Sequence, residues 1–153
     1  MTLRVAQIYY DVLREKGINV HLLSLKDLNV WEENEVLFEL EKNLLIPTKK
    51  FIFIMPEYNG SFPGILKLLL DNTDIKTCWW HKKVALVGLA SGRGGNLRGI
   101  EHMTNILHYL KMNVHYNKLP ISRIEEEMSQ DGKLLKPLTQ QSILQQIDEF
   151  INY

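Results

Sequence analysis

Two short apolar runs constrain the fold of this chain more than any other feature. One extends from Lys49 to Met55 and contains FIFIM; the other, VALVGL, spans 84–89. Each has strand length, β-branched or aromatic content and almost no polar position. A half-exposed strand alternates polar and apolar residues, whereas an unbroken apolar run fits a strand covered on both faces of a parallel sheet. Each run leads into a loop and then a helical pattern. Strand, loop, helix, strand implies βαβ units with helices on both faces of the sheet.

The remaining segments extend that grammar. Residues 2–16 carry Val5, Ile8 and Val12 at helical spacing with Tyr9 and Leu13 beside them, and Gly17 ends the helix. INVHLLSL (18–25) alternates apolar residues at 18, 20 and 22 with Asn19 and His21, which predicts a strand. A helix is expected over 33–45, stopped by Pro47, and another over 63–72, opened by Pro63. A helix over 97–112, a strand over 113–119 and a last helix over 138–152 follow. The order α-β-α-β-α-β-α-β-α describes one domain, residues 1–153. The expected class is α/β.

Composition narrows the function classes. The chain is 45% hydrophobic and 24% charged, with 18 basic and 18 acidic residues. A neutral balance without a basic stripe argues against a nucleic-acid partner. The lysine pairs Lys49-Lys50 and Lys82-Lys83 read as solvated strand entrances. Cys78 is the single cysteine, so neither a disulfide framework nor a cysteine-based metal cluster is expected. No apolar run reaches membrane-span length, and MTLRVAQIYYDVL has no signal-like apolar region. The expectation is a soluble cytoplasmic protein.

The chemistry concentrates in two loops. PEYNGSFPG (56–64) follows the first apolar run and is longer than a plain connector of about 2–6 residues. ASGRGGNLRG follows the second. In parallel sheets ligands bind beyond the carboxyl ends of the strands, so both loops should lie side by side on that rim. Prolines stiffen the first loop, and glycines let backbone approach a ligand closely. Amides of Tyr58, Asn59 and Gly60, with an aromatic ring, suit a flat heteroatom-edged ring system. The 91–96 loop would crowd the same ring from the other side. Helix N-termini follow both loops and point partial positive charge at the ligand.

PEYNGSFPGILK resembles the PEYNGS-x-P-G-x-LK signature of the NADPH-dependent FMN reductases. That flavodoxin-like family includes azoreductases and quinone reductases. The resemblance implies a flavodoxin-like three-layer sandwich. It implies FMN as cofactor, held by Pro56, Glu57, Tyr58, Asn59 and Gly60 and by Ser91, Gly92 and Gly94. NADPH or NADH would supply electrons to a small acceptor, either a quinone, an azo compound or free flavin. The family also implies a homodimer. The cofactor carries the redox chemistry, so no catalytic side chain is required.

The family pattern opens with a buried strand and a phosphate-holding loop, and this sequence starts at the helix that follows them. The expected sandwich is therefore N-terminally truncated, with its central strand absent and a gap between INVHLLSL and FIFIM. Three outcomes stay open: the two strands pair directly, a partner fills the gap, or an upstream segment has been omitted. The alternative function is an interaction module with weak or no flavin binding.

Other features read as structural. Gly92-x-Gly94 begins a dinucleotide fingerprint, but Leu97 holds the third glycine position. The five histidines, His21, His81, His102, His108 and His115, show no metal-ligand spacing. Trp79 and Trp80 suit a core or a subunit interface, Cys78 a small buried residue, and Glu125 to Glu127 a solvated charge run.

Overall fold

The computed structural model describes residues 1–129 and 131–153. Its elements are α1 (Thr2–Glu15), α2 (Glu35–Leu40) running into a π-helical turn (Glu41–Leu45), β1 (Lys50–Pro56), α3 (Gly64–Asp71), α4 (Ile75–Cys78), β2 (Lys83–Leu89), α5 (Leu97–Tyr109), β3 (Asn113–Val114), β4 (Leu119–Ile121), α6 (Ile124–Glu127) and α7 (Pro137–Asn152). β2 pairs in parallel with β1 on one side and with β3 and then β4 on the other. The fold is α/β with a parallel sheet, as the apolar runs require.

Two apolar layers cover the sheet. On one face Val5, Tyr9 and Leu13 of α1 meet Ile143 and Ile147 of α7, with Ile52, Ile54, Val87 and Leu89 beneath them. On the other face Phe51, Phe53, Met55, Val84 and Leu86 meet Leu66, Leu69 and Leu70 of α3 and Ile100, Met103 and Leu107 of α5. Trp79 is fully buried there. Its ring lies 5.2 Å from that of Phe51, and its indole N–H donates to Thr73 Oγ1 at 2.9 Å. That hydrogen bond offsets the cost of burying the indole's polar edge. Trp79 is thus a core residue, and Cys78 beside it is equally buried.

The segment 18–25 does not form the expected strand. The amide of Ile18 bonds to Leu13 O as part of the α1 C-cap, and no ladder follows. β1 lies at the edge of the sheet, and 18–25 does not pair with its open side. Lys83 N–H donates to Lys49 O and Glu57 N–H to Leu89 O. Odd-numbered backbone groups of β1 therefore face β2, and those of Lys50, Ile52 and Ile54 face outward, unpaired. This edge position also explains why only Met55 of β1 is buried, whereas β2 is buried from Val84 to Leu89.

The expected strand over 113–119 is broken in two. The offset between ladder partners rises from 30 residues at Lys83–Asn113 to 32 at Val87–Leu119. Two extra residues loop out between β3 and β4. The helix expected over 97–112 stops at Tyr109, because Lys111 takes φ 54°. Met112 N–H bonds to Leu107 O and Lys111 N–H to His108 O, a Schellman-type closure with lysine where glycine is usual. The Lys111 ammonium lies 3.7 Å from the Trp80 ring centroid, and that cation–π contact opposes the backbone strain.

Three of the four strand-entrance lysines are not simply solvated. Lys82 Nζ donates to Leu45 O and Ile46 O, at the end of the π-helical turn. Lys50 Nζ donates to Phe150 O and Ile151 O, and Lys83 Nζ to Tyr153 O. Cations on orphan carbonyls at a helix C-terminus satisfy the backbone and complement its dipole. Nor is the 125–127 run wholly solvated. Glu127 is buried and accepts from Lys136 Nζ at 2.8 Å and Thr139 Oγ1 at 2.6 Å.

Candidate functional site

The first loop is built on a tight reversal. Tyr58 N–H donates to Ser61 O and Ser61 N–H to Tyr58 O, at 2.9 and 3.0 Å. Asn59 and Gly60 between them take φ 51° and 78°. Positive φ at both central residues is what a type I′ turn demands, and Asn-Gly is the preferred pair. That signal was present in the sequence and gives the loop a fixed shape. One expectation is corrected: the Tyr58 amide is consumed by the turn. The amides of Asn59 and Gly60 donate to no acceptor among the described residues.

The loop leaves the sheet beside the second. Pro56 stands in register with Leu89, and Glu57 N–H donates to Leu89 O at 2.7 Å. One residue later Ala90 turns away, its amide held by Ile121 O and its carbonyl by Ile124 N–H. Ser91, Gly92, Arg93 and Gly94 are exposed, and the amides from Ser91 to Asn96 meet no acceptor among the described residues. A Cβ added at Gly92 or Gly94 would meet nothing within 4 Å. The fold itself needs Gly95, where φ is 56° and a Cβ would lie 2.8 Å from Pro120.

A third segment joins the rim after β4, and sequence reasoning did not include it. Arg123 N–H donates to Gly92 O at 3.0 Å, and Ser91 Oγ donates to Glu125 Oε1 at 2.8 Å. The Ser91 hydroxyl, first of all, holds the Glu125 carboxyl below its ordinary range. No sequence signal marked this pairing, because Glu125 is 34 residues from Ser91 and sits in a run of three acids.

The structure thus places Pro56, Glu57, Tyr58, Asn59 and Gly60 beside Ser91, Gly92 and Gly94 on the carboxyl rim. Glu57, Tyr58, Asn59 and Ser91 through Gly94 are exposed, so this rim is open rather than a closed cleft. A groove of about 580 Å³ lies elsewhere, between α3 and α5, lined by Leu70, His102, Ile106 and Tyr109. His102 connects it to the first loop through a 2.9 Å contact between Nδ1 and Ser61 Oγ. Among the described residues no three His, Cys, Asp or Glu side chains converge as metal ligands, and no helix is long and apolar enough to cross a membrane.

Comparison with known proteins places this chain in a family. The model of the NADPH-dependent FMN reductases matches residues 1–125. An NAD(P)H-dependent FMN reductase of Saccharomyces cerevisiae is 38% identical over 63 residues, covering 41% of this chain and 31% of the relative. A probable NADPH:quinone oxidoreductase of Oryza sativa is 31% identical over 93 residues, covering 57% and 44%. The matches thus span less than half the length of these two relatives. Among solved structures, the FerB flavoenzyme of Paracoccus denitrificans superposes with a TM-score of 0.81 at 21% identity, covering 100% of this chain and 88% of that one. An NADPH-quinone reductase of P. pentosaceus superposes at 0.61 and 19% identity, covering 97% and 90%. These likenesses share the flavodoxin-like fold, and the match over residues 1–125 makes this chain a member of the NADPH-dependent FMN reductase family.

Proposed function

We propose that this chain is the FMN-binding domain of an NAD(P)H-dependent oxidoreductase that passes electrons to a small acceptor: a quinone, an azo compound or free flavin. One observation carries the reading. Two runs of unpaired backbone amides, 59–60 and 91–94, stand side by side at the carboxyl rim of a parallel sheet. Such donors fit the polar edge of an isoalloxazine ring, and the open space at Gly92 and Gly94 leaves room for it.

FMN, when bound, supplies the hydride and electron transfer. The chain's own residues place it. The Asn59-Gly60 turn presents two amides in a fixed direction, and the 91–94 backbone presents more from the neighbouring strand end. Glu57 and Tyr58 border the ring site, with Pro56 stiffening the approach. Donors fixed in advance cost little ordering on binding. We take the active form to be a cytoplasmic homodimer, with nicotinamide and acceptor entering in turn from the open side.

FMN titration followed by flavin fluorescence, then NAD(P)H consumption with quinone and azo acceptors, tests the proposal. Saturable quenching and acceptor-dependent NAD(P)H oxidation are expected; protein that takes up no FMN refutes it. The open edge of β1 favours a second reading, an interaction module with weak or no flavin binding. That reading expects no NAD(P)H oxidation with or without added FMN.

A further inference from the structure

We propose that Asn96 is a positioning residue: it sets the spacing of the two rim loops and, through it, the affinity for flavin. This rests on the FMN reading above. Asn96 is fully buried and opens α5 with φ 61°, a left-handed conformation that asparagine adopts more readily than other side-chain-bearing residues. Its Nδ2–H donates to Met55 O at 3.1 Å, the carbonyl just before Pro56. One side chain at the exit of the second loop is therefore tied to the base of the first.

The surroundings are shaped around it. A Cβ at Gly99 would lie 2.2 Å from Asn96 Oδ1 and 2.8 Å from the Ser61 carbonyl carbon. A Cβ at Gly88 would lie 3.0 Å from Asn96 Cβ and 2.4 Å from Gly95 O. Two glycines thus leave room for the Asn96 side chain that reaches Met55 O. Its Oδ1 is buried without a hydrogen-bond partner among the described residues. An asparagine chosen for stability alone would satisfy both ends of its amide, because an orphaned buried acceptor is costly. A cross-loop tie and an orphan oxygen on one buried side chain, at the seam of two ligand-facing loops, mark a place where stability yields to geometry.

Asn96→Gly separates the contributions. Glycine accepts φ 61° and removes the tie to Met55 without adding strain. The melting temperature should stay close to that of the unsubstituted protein. Two other readouts should move: the FMN dissociation constant should rise about tenfold, and amide exchange over residues 57–61 should quicken in the flavin-free protein. Unchanged affinity together with unchanged exchange overturns the proposal. Should Asn96→Gly fail to fold, Asn96→Ser is read in its place, since its hydroxyl is too short to reach Met55 O. Loss of fold in both assigns Asn96 to stability and also overturns it. If the unsubstituted protein takes up no FMN, the functional reading fails, and exchange over 57–61 still decides whether Asn96 fixes the loop.

Discussion

The side-chain amide of Gln146 donates to the carbonyl of Leu86 across 3.1 Å, where the sheet passes from β3 to β4. His115 N–H donates to Val84 O, so a continuous ladder would bring the next strand amide to Leu86. The two-residue shift between β3 and β4 moves that role from the Asn117 amide to the Leu119 amide, which the Val87–Leu119 register brings to Leu86 O. Gln146, buried on α7, adds a second donor at Leu86 O, donates also to Asn117 O at 2.7 Å in the looped-out segment, and accepts from Tyr9 Oη–H at 2.6 Å. Gln146→Leu leaves the Asn117 carbonyl and the Tyr9 hydroxyl without these partners. It should destabilise the fold by about 2–4 kcal/mol, read from urea unfolding as a lower midpoint at an unchanged slope.

The parity of β1 makes a residue-by-residue prediction. Amides of Phe51, Phe53 and Met55 face β2, whereas those of Lys50, Ile52 and Ile54 face the open edge. Hydrogen exchange resolved by amide should alternate along the strand, slow at odd positions and fast at even ones. Uniform protection from 50 to 55 would show that a further strand covers this edge.

Cys78 should be chemically silent in the folded protein. It is fully buried, and burial first, then the neighbouring Glu41 carboxylate, push its thiol up to about 11. At pH 8 a thiol reagent should label it only after denaturant is added. The raised value also fixes the sign of a pH effect. The folded state holds the proton more tightly, so this contribution is complete below the ordinary thiol range. It is lost as pH rises toward 11. Cys78→Ala should flatten that alkaline decline in melting temperature.

The Asn59-Gly60 turn is the third point of attack. Gly60 holds φ 78°, and Gly60→Ala asks a side chain to enter that region at about 1–2 kcal/mol. The expected result is a modest fall in melting temperature with a larger loss of FMN uptake in a fluorescence titration, because the two free amides change direction. An unaltered titration would remove this turn from the site.

How much of this was legible depended on whether a signal was local. Gly17, with φ 75°, closes α1 as the sequence indicated, because glycine announces a left-handed cap. Lys111 performs the same act at the end of α5, and nothing in a lysine announces it. Its suitability comes from Trp80, 31 residues away in sequence. The rim loops were legible as a pair, since strand direction alone assigns both to one end of the sheet. The Ser91–Glu125 contact and the Asn96–Met55 tie were not, because each joins residues more than 30 positions apart.

The sequence alone determined the layered α/β class, the parallel strands, most helix spans and the two glycine-bearing loops, because apolar periodicity and turn chemistry act between near neighbours. Only the tertiary structure decided which apolar segments became strands. INVHLLSL has the alternation of a strand and remains unpaired, and residues 113–121 have strand content and break in two. A strand is a relation between two chains of backbone donors and acceptors. Its existence rests on a partner edge that no local pattern encodes.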